Sequence, residues 1–504
     1  MTTEKATSRL LPICYYIGLI ILSLGALQLL PAATSAAFAE WRICAVFVFS
    51  ASCALLLGSG MAWFGHRDKG AKLSFAQGMV VASGAWLLST LLCAVPYYLS
   101  GNYLSYLDGC FGVMSGLTTT GVCLIQDMDH LSNGVNMWRH LLTFVGGQGM
   151  VVLALTFLRK NEGGAYKMYV GEAKDEKLFP NAVSTARGIW GISLLYLVVG
   201  TAVLTAAVSA AGVPAPRSLL HGMWIYMSAW STGGFAPMSQ NILYYHSLFV
   251  EVASTVFFIV GSFNFALHYA VLSGKRRELR RNIETVTFSV SATVLMLVTL
   301  TGLIQNNVYP SVISLFRKGV YQLLSGHTTT GFMTVYAKQF YYEWGDIALF
   351  AMMIAMLVGG SACSTAGGFK AMRVGILFQS IRAEVRRTLL PDSRVSEQKI
   401  HHIRDLTLTD AMVKSASLIV LLYILTFAVG TLAGMYAGFP LTMAAFECAS
   451  VTGNVGLSIG VTGPAMPEYL KLLYIVIMWL GRLEFMSVLT LAAYIIRKVQ
   501  KKCD

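Results

Sequence analysis

The chain has 504 residues, of which 56% are hydrophobic and only 12% charged, with a mean hydropathy of +0.63. Soluble domains carry about a quarter charged residues, so this composition excludes an ordinary soluble protein and points to an all-α polytopic membrane protein. The net charge of +13 says less than the placement of the basic residues along the chain.

In chain order, apolar runs long enough to cross a bilayer as helices are predicted near 9–30, 41–64, 74–98, 138–158, 188–211, 247–273, 284–306, 345–380, 412–437 and 468–497. The first, "LLPICYYIGLIILSLGALQLL", has no small-residue cleavage motif after a short core, and reads as a retained helix. Four shorter apolar runs, near 103–117, 217–230, 312–326 and 440–450, are too short to span and are predicted to be re-entrant helices. The basic stretches "GHRDKGAK" (65–72), "RKNEGGAYK" (159–167), "GKRRELRR" (274–281), "IRAEVRRTLLPDSRVSEQK" (381–399) and "RKVQKK" (497–502) fall on one side if the spans alternate. Loops on the other side are poor in Lys and Arg, so both termini are expected in the cytoplasm. The basic stretches are topology signals and solvated helix ends, and secondarily candidate contacts for membrane lipids. The linker 371–411, with His401 and His402, has room to dock a cytoplasmic partner. The nine cysteines form no CxxC or Cys/His cluster, which leaves them as small buried hydrophobes.

The feature that carries function interrupts this apolar pattern four times. "TTTGV" supplies Thr119, Thr120 and Gly121, and "STGGF" supplies Thr232, Gly233 and Gly234. "TTTGF" supplies Thr329, Thr330 and Gly331, and "GNVGL" supplies Asn454, Val455 and Gly456. Each follows a span and a short apolar run and precedes another span. The chain therefore divides into an extra pair of helices (1–70) and four tandem helix, re-entrant helix, turn, helix units: 71–160, 161–280, 281–385 and 386–504, the last including the cytoplasmic linker. Irregular backbone at membrane depth is tolerated only where it is buried in protein or lines a water-filled cavity. Four such turns around one pseudo-fourfold pore can present a ring of carbonyl oxygens that replaces a cation's hydration shell. Glycine lets φ exceed zero, so that successive carbonyls can face one way, and the re-entrant helices aim their partly negative C-terminal ends at the cavity below. Small residues also serve close helix packing, but four copies at one place in a repeated unit favour an ion path.

Two further features lie below these turns. "GGSACSTAGGFK" breaks the run 345–380, and each glycine disfavours helix by roughly 1 kcal/mol relative to alanine. Its Gly359, Gly360, Ser361, Ser364, Thr365, Gly367 and Gly368 are candidates for a flexible intramembrane gate loop. Arg482 lies inside "LLYIVIMWLGRLEFMSVLTLAAY", where a buried guanidinium costs at least about 2.5–3.5 kcal/mol and needs a cavity or a partner. Glu484 is two residues away and off its helix face, so Arg482 is expected to face the pore and touch the 359–368 loop.

With "WRHLLTFVGGQGM" (138–150), "GSFNFALHY" (261–269), "GGSACSTAGGFKAMR" (359–373) and "GRLEF" (481–485), these turns resemble the pore-forming subunits of the TrkH/KtrB/HKT superfamily of potassium transporters. The resemblance covers roughly 70–500, and the leading pair of spans resembles the TrkH-type members. "SVTGNVGLSIG" departs from the "GPG" form common in TrkH proteins and looks more like KtrB. Glycine at all four aligned positions implies potassium, where a serine at the first is associated with sodium in plant relatives. The resemblance also implies K+ bound at the filter residues as the transported ion, no cofactor on this chain, a homodimer, and a cytoplasmic nucleotide-binding regulatory subunit of the TrkA/KtrA type. The setting it implies is the inner membrane of a bacterium.

No phosphate-binding loop, catalytic triad or paired carboxylate stands out, so neither an enzyme nor a nucleic-acid partner is expected. The alternative reading is a broken-helix secondary transporter of an organic solute or of sodium. For an organic solute, it predicts interrupted helices bearing charged substrate ligands.

Overall fold

The computed structural model describes residues 10–66, 73–125, 127–157, 165–172, 181–389 and 398–503. Six of its helices are long and apolar enough to span a membrane: Leu11–Ala37, Trp41–Gly65, Phe75–Ser100, Ala182–Ala210, Ile283–Gln305 and Asp410–Tyr436. Polar side chains start several of them. Ser74 accepts from the Gln77 N–H in a reciprocal capping box, Asn181 caps at Ser184 and Thr409 at Met412. The first two helices pack closely because Gly18 and Gly58 face one another. A Cβ on Gly18 would come 2.6 Å from Ala62 N and 2.8 Å from Gly58 O.

The four short apolar runs form the helices Tyr106–Leu117, Ala215–Trp230, Val312–His327 (with a π-helical stretch, Leu315–Val320) and Leu441–Thr452. The spans that follow them are where the sequence reading needs correction. The runs near 138–158, 247–273 and 468–497 read as continuous helices, but each is broken. The first stops at Gln148 and restarts at Met150 across Gly149, whose φ is +103°. Leu248–Gly261 and Phe265–Leu272 meet at 101°, and Glu468–Arg482 and Met486–Gln500 at 115°. The local causes are legible afterwards. Asn264 starts a new helix by accepting from Ala266 N–H at 2.8 Å, while Glu484 and Phe485 take φ of +51° and +67°. Within the run 345–380, the helices Gly345–Val358 and Ala371–Leu389 flank a non-helical segment.

The linker holds an antiparallel hairpin, Lys399–His402 paired with Arg404–Thr407, that hydropathy gave no reason to expect. His401 pins it to the short helix Glu278–Arg281. Its Nδ1 lies 2.6 Å from Asp405 Oδ1 and its Nε2 2.9 Å from Glu278 Oε2. Hydrogen bonds to Asp405 first and Glu278 second raise the imidazole pKa above its ordinary 6.5, and His401 in turn lowers that of Asp405. A raised histidine pKa stabilises docking fully below the unfolded value and ceases to as pH rises through the folded value. A lowered carboxylate pKa acts in the opposite sense, its contribution lost as pH falls through the folded value. Amide protection factors in the hairpin, taken relative to the intrinsic base-catalysed rate at each pH, should therefore be higher at about pH 6 than at about pH 9. His401→Gln should flatten that difference; an unchanged profile would show that the ion pairs do not hold the hairpin.

A buried pair ties the two ends of the bundle together. Lys471 Nζ donates to Asp108 Oδ1 at 2.7 Å and to Pro464 O at 3.2 Å, with side chains 7% and 1% exposed for Lys471 and Asp108. Asp108→Ala leaves a buried ammonium uncompensated, a change that costs about 3–5 kcal/mol. The variant should unfold in detergent at a clearly lower temperature, and Asp108→Leu with Lys471→Met should recover much of the loss. A melting temperature equal to the parent's in the single variant would show that the pair contributes nothing.

Candidate functional site

The four turns adopt one conformation. Thr119, Thr232, Thr329 and Asn454 have φ of +56°, +50°, +55° and +54°, and Gly121, Gly234, Gly331 and Gly456 have +85°, +66°, +82° and +96°. Left-handed residues alternating with ordinary ones turn successive carbonyls toward one side, which only glycine does without strain. The residue before each glycine gives its N–H back to the short helix. Thr120, Gly233, Thr330 and Val455 donate to the carbonyls of Ser115, Ser228, Ser325 and Ser450, each at 2.8 Å. Three of those serines bind again through their hydroxyls. Ser115 Oγ donates to Val122 O at 2.7 Å, Ser325 Oγ donates to Phe332 O at 2.8 Å, and Ser450 Oγ accepts from Gly456 N–H at 3.0 Å. One donor of each turn thus faces backwards into protein, while in the second turn Phe235 N–H donates to Gly233 O at 2.9 Å. These serines stand six residues before each glycine, a recurrence the sequence carried and the reading above missed.

The turns also close on one another. A Cβ on Gly121 would overlap Gly233 O, one on Gly234 would overlap Thr330 O, one on Gly331 Val455 O, and one on Gly456 Thr120 O. The order runs first to second to third to fourth and back to the first, a closed ring with no room for a side chain at any glycine. Asn454 fastens the last joint, its Nδ2 donating to Thr120 Oγ1 and to Met478 O, each at 3.0 Å. The hydroxyls of Thr118 and Thr328 lie 2.8 Å from those of Thr120 and Thr330.

The interrupted segment 359–370 docks on this ring. Thr365 Oγ1 donates toward Gly261 O (2.8 Å) and Trp230 O (3.0 Å) and lies 3.2 Å from Thr232 Oγ1. Gly367 N–H donates to Thr329 Oγ1 at 2.7 Å, and a Cβ on Gly367 would overlap Gly453 O. The segment therefore touches the second, third and fourth turns. Its other predicted residues build the neck. Gly359 and Gly368, with φ of +72° and +75°, pack face to face, Ser364 Oγ donates to Ser361 O at 2.6 Å, and Ser361 N–H donates to Ser262 O at 2.9 Å. Gly360 is pressed against Ala366 and Ser262, and its carbonyl accepts from Ala371 N–H at 2.8 Å, closing the loop on its own start.

Arg482 is the last residue of the helix Glu468–Arg482, at the break. Nη1 donates to Thr365 O at 2.6 Å, and Nη2 to Gly146 O at 2.6 Å and Gly147 O at 3.0 Å. One planar guanidinium thus fastens the docked segment to the end of the helix Asn133–Gln148. Glu484 pairs with Arg373. A small cavity beside Arg482 is also lined by Glu172, Lys370 and Glu484.

Two carboxylates were not singled out in the sequence. Glu284, buried at the start of the helix Ile283–Gln305, accepts from Ala362 N–H of the docked segment at 2.6 Å through Oε1, and from Asn264 Nδ2 at 3.4 Å through Oε2. His402 of the hairpin lies 3.9 Å from the same carboxylate. Glu447, buried in the fourth short helix, braces the chain after the fourth turn by accepting from Ser458 Oγ and Thr462 N–H at 2.8 Å and Ile459 N–H at 3.1 Å. The available signal was a lone carboxylate in an apolar run, which demands partners.

Comparison with known proteins agrees with this architecture. The model of the TrkH family, described as a cation transport protein, matches residues 45–500. The Trk system potassium uptake protein TrkG of Escherichia coli K12 is 29% identical over 476 residues, covering 92% of this chain and 94% of that protein. An uncharacterized cation transporter of Methanocaldococcus jannaschii is 29% identical over 416 residues, 82% of either chain. The crystal structure of the potassium transporter TrkH from Vibrio parahaemolyticus has the same fold, with a TM-score of 0.80 at 24% identity over 96% of this chain and 98% of that one.

Proposed function

The chain belongs to the TrkH family of cation transport proteins, and from that premise we propose that it takes up potassium across the inner membrane of a bacterium through the ring of four turns. The closed ring of glycines and carbonyls carries this reading. Carbonyl oxygens on fixed backbone, with the N–H of the residue before each glycine given back to its short helix, offer a dehydrated cation a substitute for water. Thr119, Thr120 and Gly121 with their counterparts Thr232–Gly234, Thr329–Gly331 and Asn454–Gly456 form the selectivity filter. Glycine at all four positions and the potassium uptake named for the relatives both favour K+ over sodium. Units bounded at 71–160, 161–280, 281–385 and 386–504 each supply one side of the path, after the extra helices in 1–70.

In this proposal the segment 359–368 is the gate and Arg482 its clasp. The chain works as a homodimer, with its termini and basic loops in the cytoplasm, and a separate nucleotide-binding subunit acts on it from that side. Uptake of rubidium as a potassium tracer into cells lacking their own potassium systems tests the reading. Expression of this chain should restore uptake that excess potassium suppresses and excess sodium does not. Suppression by sodium, or uptake of an organic solute alone, would favour the secondary transporter instead.

Glu284 supplies a sharper test of the gate. A hydrogen bond to a charged acceptor contributes about 1.5–3 kcal/mol, and Glu284→Gln removes the charge that holds Ala362 N–H. The docked segment should leave the ring more often, raising rubidium flux per molecule about tenfold, since each 1.4 kcal/mol is a factor of ten. Unchanged flux in a folded variant would mean that this contact does not restrain the gate.

A further inference from the structure

An open groove of about 560 Å³ runs between the helix Ile283–Gln305 and the helices Gly345–Val358 and Ala371–Leu389. One wall is a row of valines, Val286, Val290 and Val294, spaced four apart and hence on one helix face. They are 46%, 59% and 53% exposed, and Phe378 on the facing wall is 69% exposed. Ser291, midway along, has its hydroxyl engaged already, with Thr287 O and His327 Nε2 each at 2.8 Å. From Ile283 to Leu295 the helix rises about 18 Å at 1.5 Å per residue. That is close to one leaflet of a hydrocarbon core about 30 Å thick.

The apolar lining ends at Arg281 and Lys399. Both are exposed, and neither forms an ion pair among the described residues. Basic residues at a span's end are ordinary topology signals, but this pair is assembled from distant parts of the chain. Lys399 belongs to the linker hairpin, which His401 fixes to Glu278 at 2.9 Å and His402 to Asn282 Oδ1 at 3.2 Å. The hairpin's own Asp405, which feels both cations, is already engaged by His401.

We propose that this groove is a binding site for an anionic phospholipid of the leaflet beside the basic loops. One acyl chain lies along the valine row, and the phosphate sits between Arg281 and Lys399. Charge and depth select this occupant. An apolar trough one leaflet deep ends in two cations at the level of the headgroups, where each basic side chain attracts anionic lipid. A second copy of the chain docked symmetrically at the groove's mouth would bring like charges together. The far wall ends at Val358, the residue before the first glycine of the docked segment.

The test uses the full chain in nanodiscs containing equal amounts of phosphatidylglycerol and phosphatidylcholine with the same acyl chains, followed by gentle extraction and native mass spectrometry. The parent should retain phosphatidylglycerol about fivefold or more over phosphatidylcholine, as expected when two cations hold a net-anionic headgroup rather than one whose phosphate is neutralised by its own choline. Arg281→Glu with Lys399→Glu should abolish the preference. Val290→Trp and, independently, Val294→Trp fill the trough without changing charge and should abolish retention of either lipid. Equal retention of both lipids by the parent would overturn the proposal. So would tryptophan variants that keep phosphatidylglycerol, since the charges alone would then attract it. A tryptophan variant that shifts from dimer to monomer with unchanged lipid retention would instead make the groove an interface between copies. Lipid mass is read directly, so failure here is distinct from failure of the transport reading.

Discussion

Gly121→Ser is expected to lower the preference for potassium over sodium by about tenfold or more, the equivalent of 1.4 kcal/mol. Two independent facts lead to that size. The residue sits at φ +85°, where a side chain costs roughly 1–2 kcal/mol. Its Cβ would also overlap Gly233 O of the adjacent turn, so that the carbonyl must move. In a ring each displaced oxygen shifts its neighbour, and discrimination between two monovalent cations depends on the number and placement of those oxygens. The measurement is competitive rubidium and sodium flux in proteoliposomes with matched protein. Gly191→Ser is the control, because a Cβ there meets nothing within 4 Å. An unchanged ratio in a folded Gly121→Ser variant would remove the ring from the selectivity mechanism.

Arg482→Ala should raise flux by about tenfold or more while leaving the ion ratio nearly intact. Two unit charges 4 Å apart repel by about 4 kcal/mol at an effective dielectric of 20, so a guanidinium beside the proposed path would slow a cation passing it. The proposed gate gives Arg482 a mechanical role beside this electrostatic one. The three hydrogen bonds from Arg482 join Thr365 of the docked segment to Gly146 and Gly147, and alanine releases both sides together. Arg482→Lys separates the two effects. It keeps the charge but lacks the planar fork that serves several carbonyls at once, so its flux should fall between those of the parent and the alanine variant. Equal or lower flux in Arg482→Ala, with folding confirmed by gel filtration, would make the residue a structural brace only.

Both variants act on contacts that join distant parts of the chain, and that separates what could be read early from what could not. Hydropathy is a running property of about twenty residues, so the membrane class and most spans follow from sequence alone. The four turns were legible for a related reason: a glycine two residues after a polar one, at the end of a short apolar run, constrains its own backbone. The segment 359–370 announced itself through composition in the same way.

The breaks at Gly149, at 261–265 and at 482–486 did not, because an apolar run looks the same whether straight or bent. Local features such as the Asn264 cap mark where it turns, but the contacts that hold the bend are distant: Gly261 packs against Trp230 O, and Arg482 reaches Thr365 and Gly146 across 117 and 336 residues of sequence. Glu284 shows the same limit. A carboxylate in an apolar helix must find donors, but that the donor is Ala362 N–H depends on packing between separate segments. The sequence by itself therefore determined the class, most of the spans and the residue types at the turns, all properties of short windows. Only the tertiary structure decided that the turns close into a ring, where the later helices break, and which carboxylate and guanidinium hold the docked segment, because each of those depends on residues that meet only after folding.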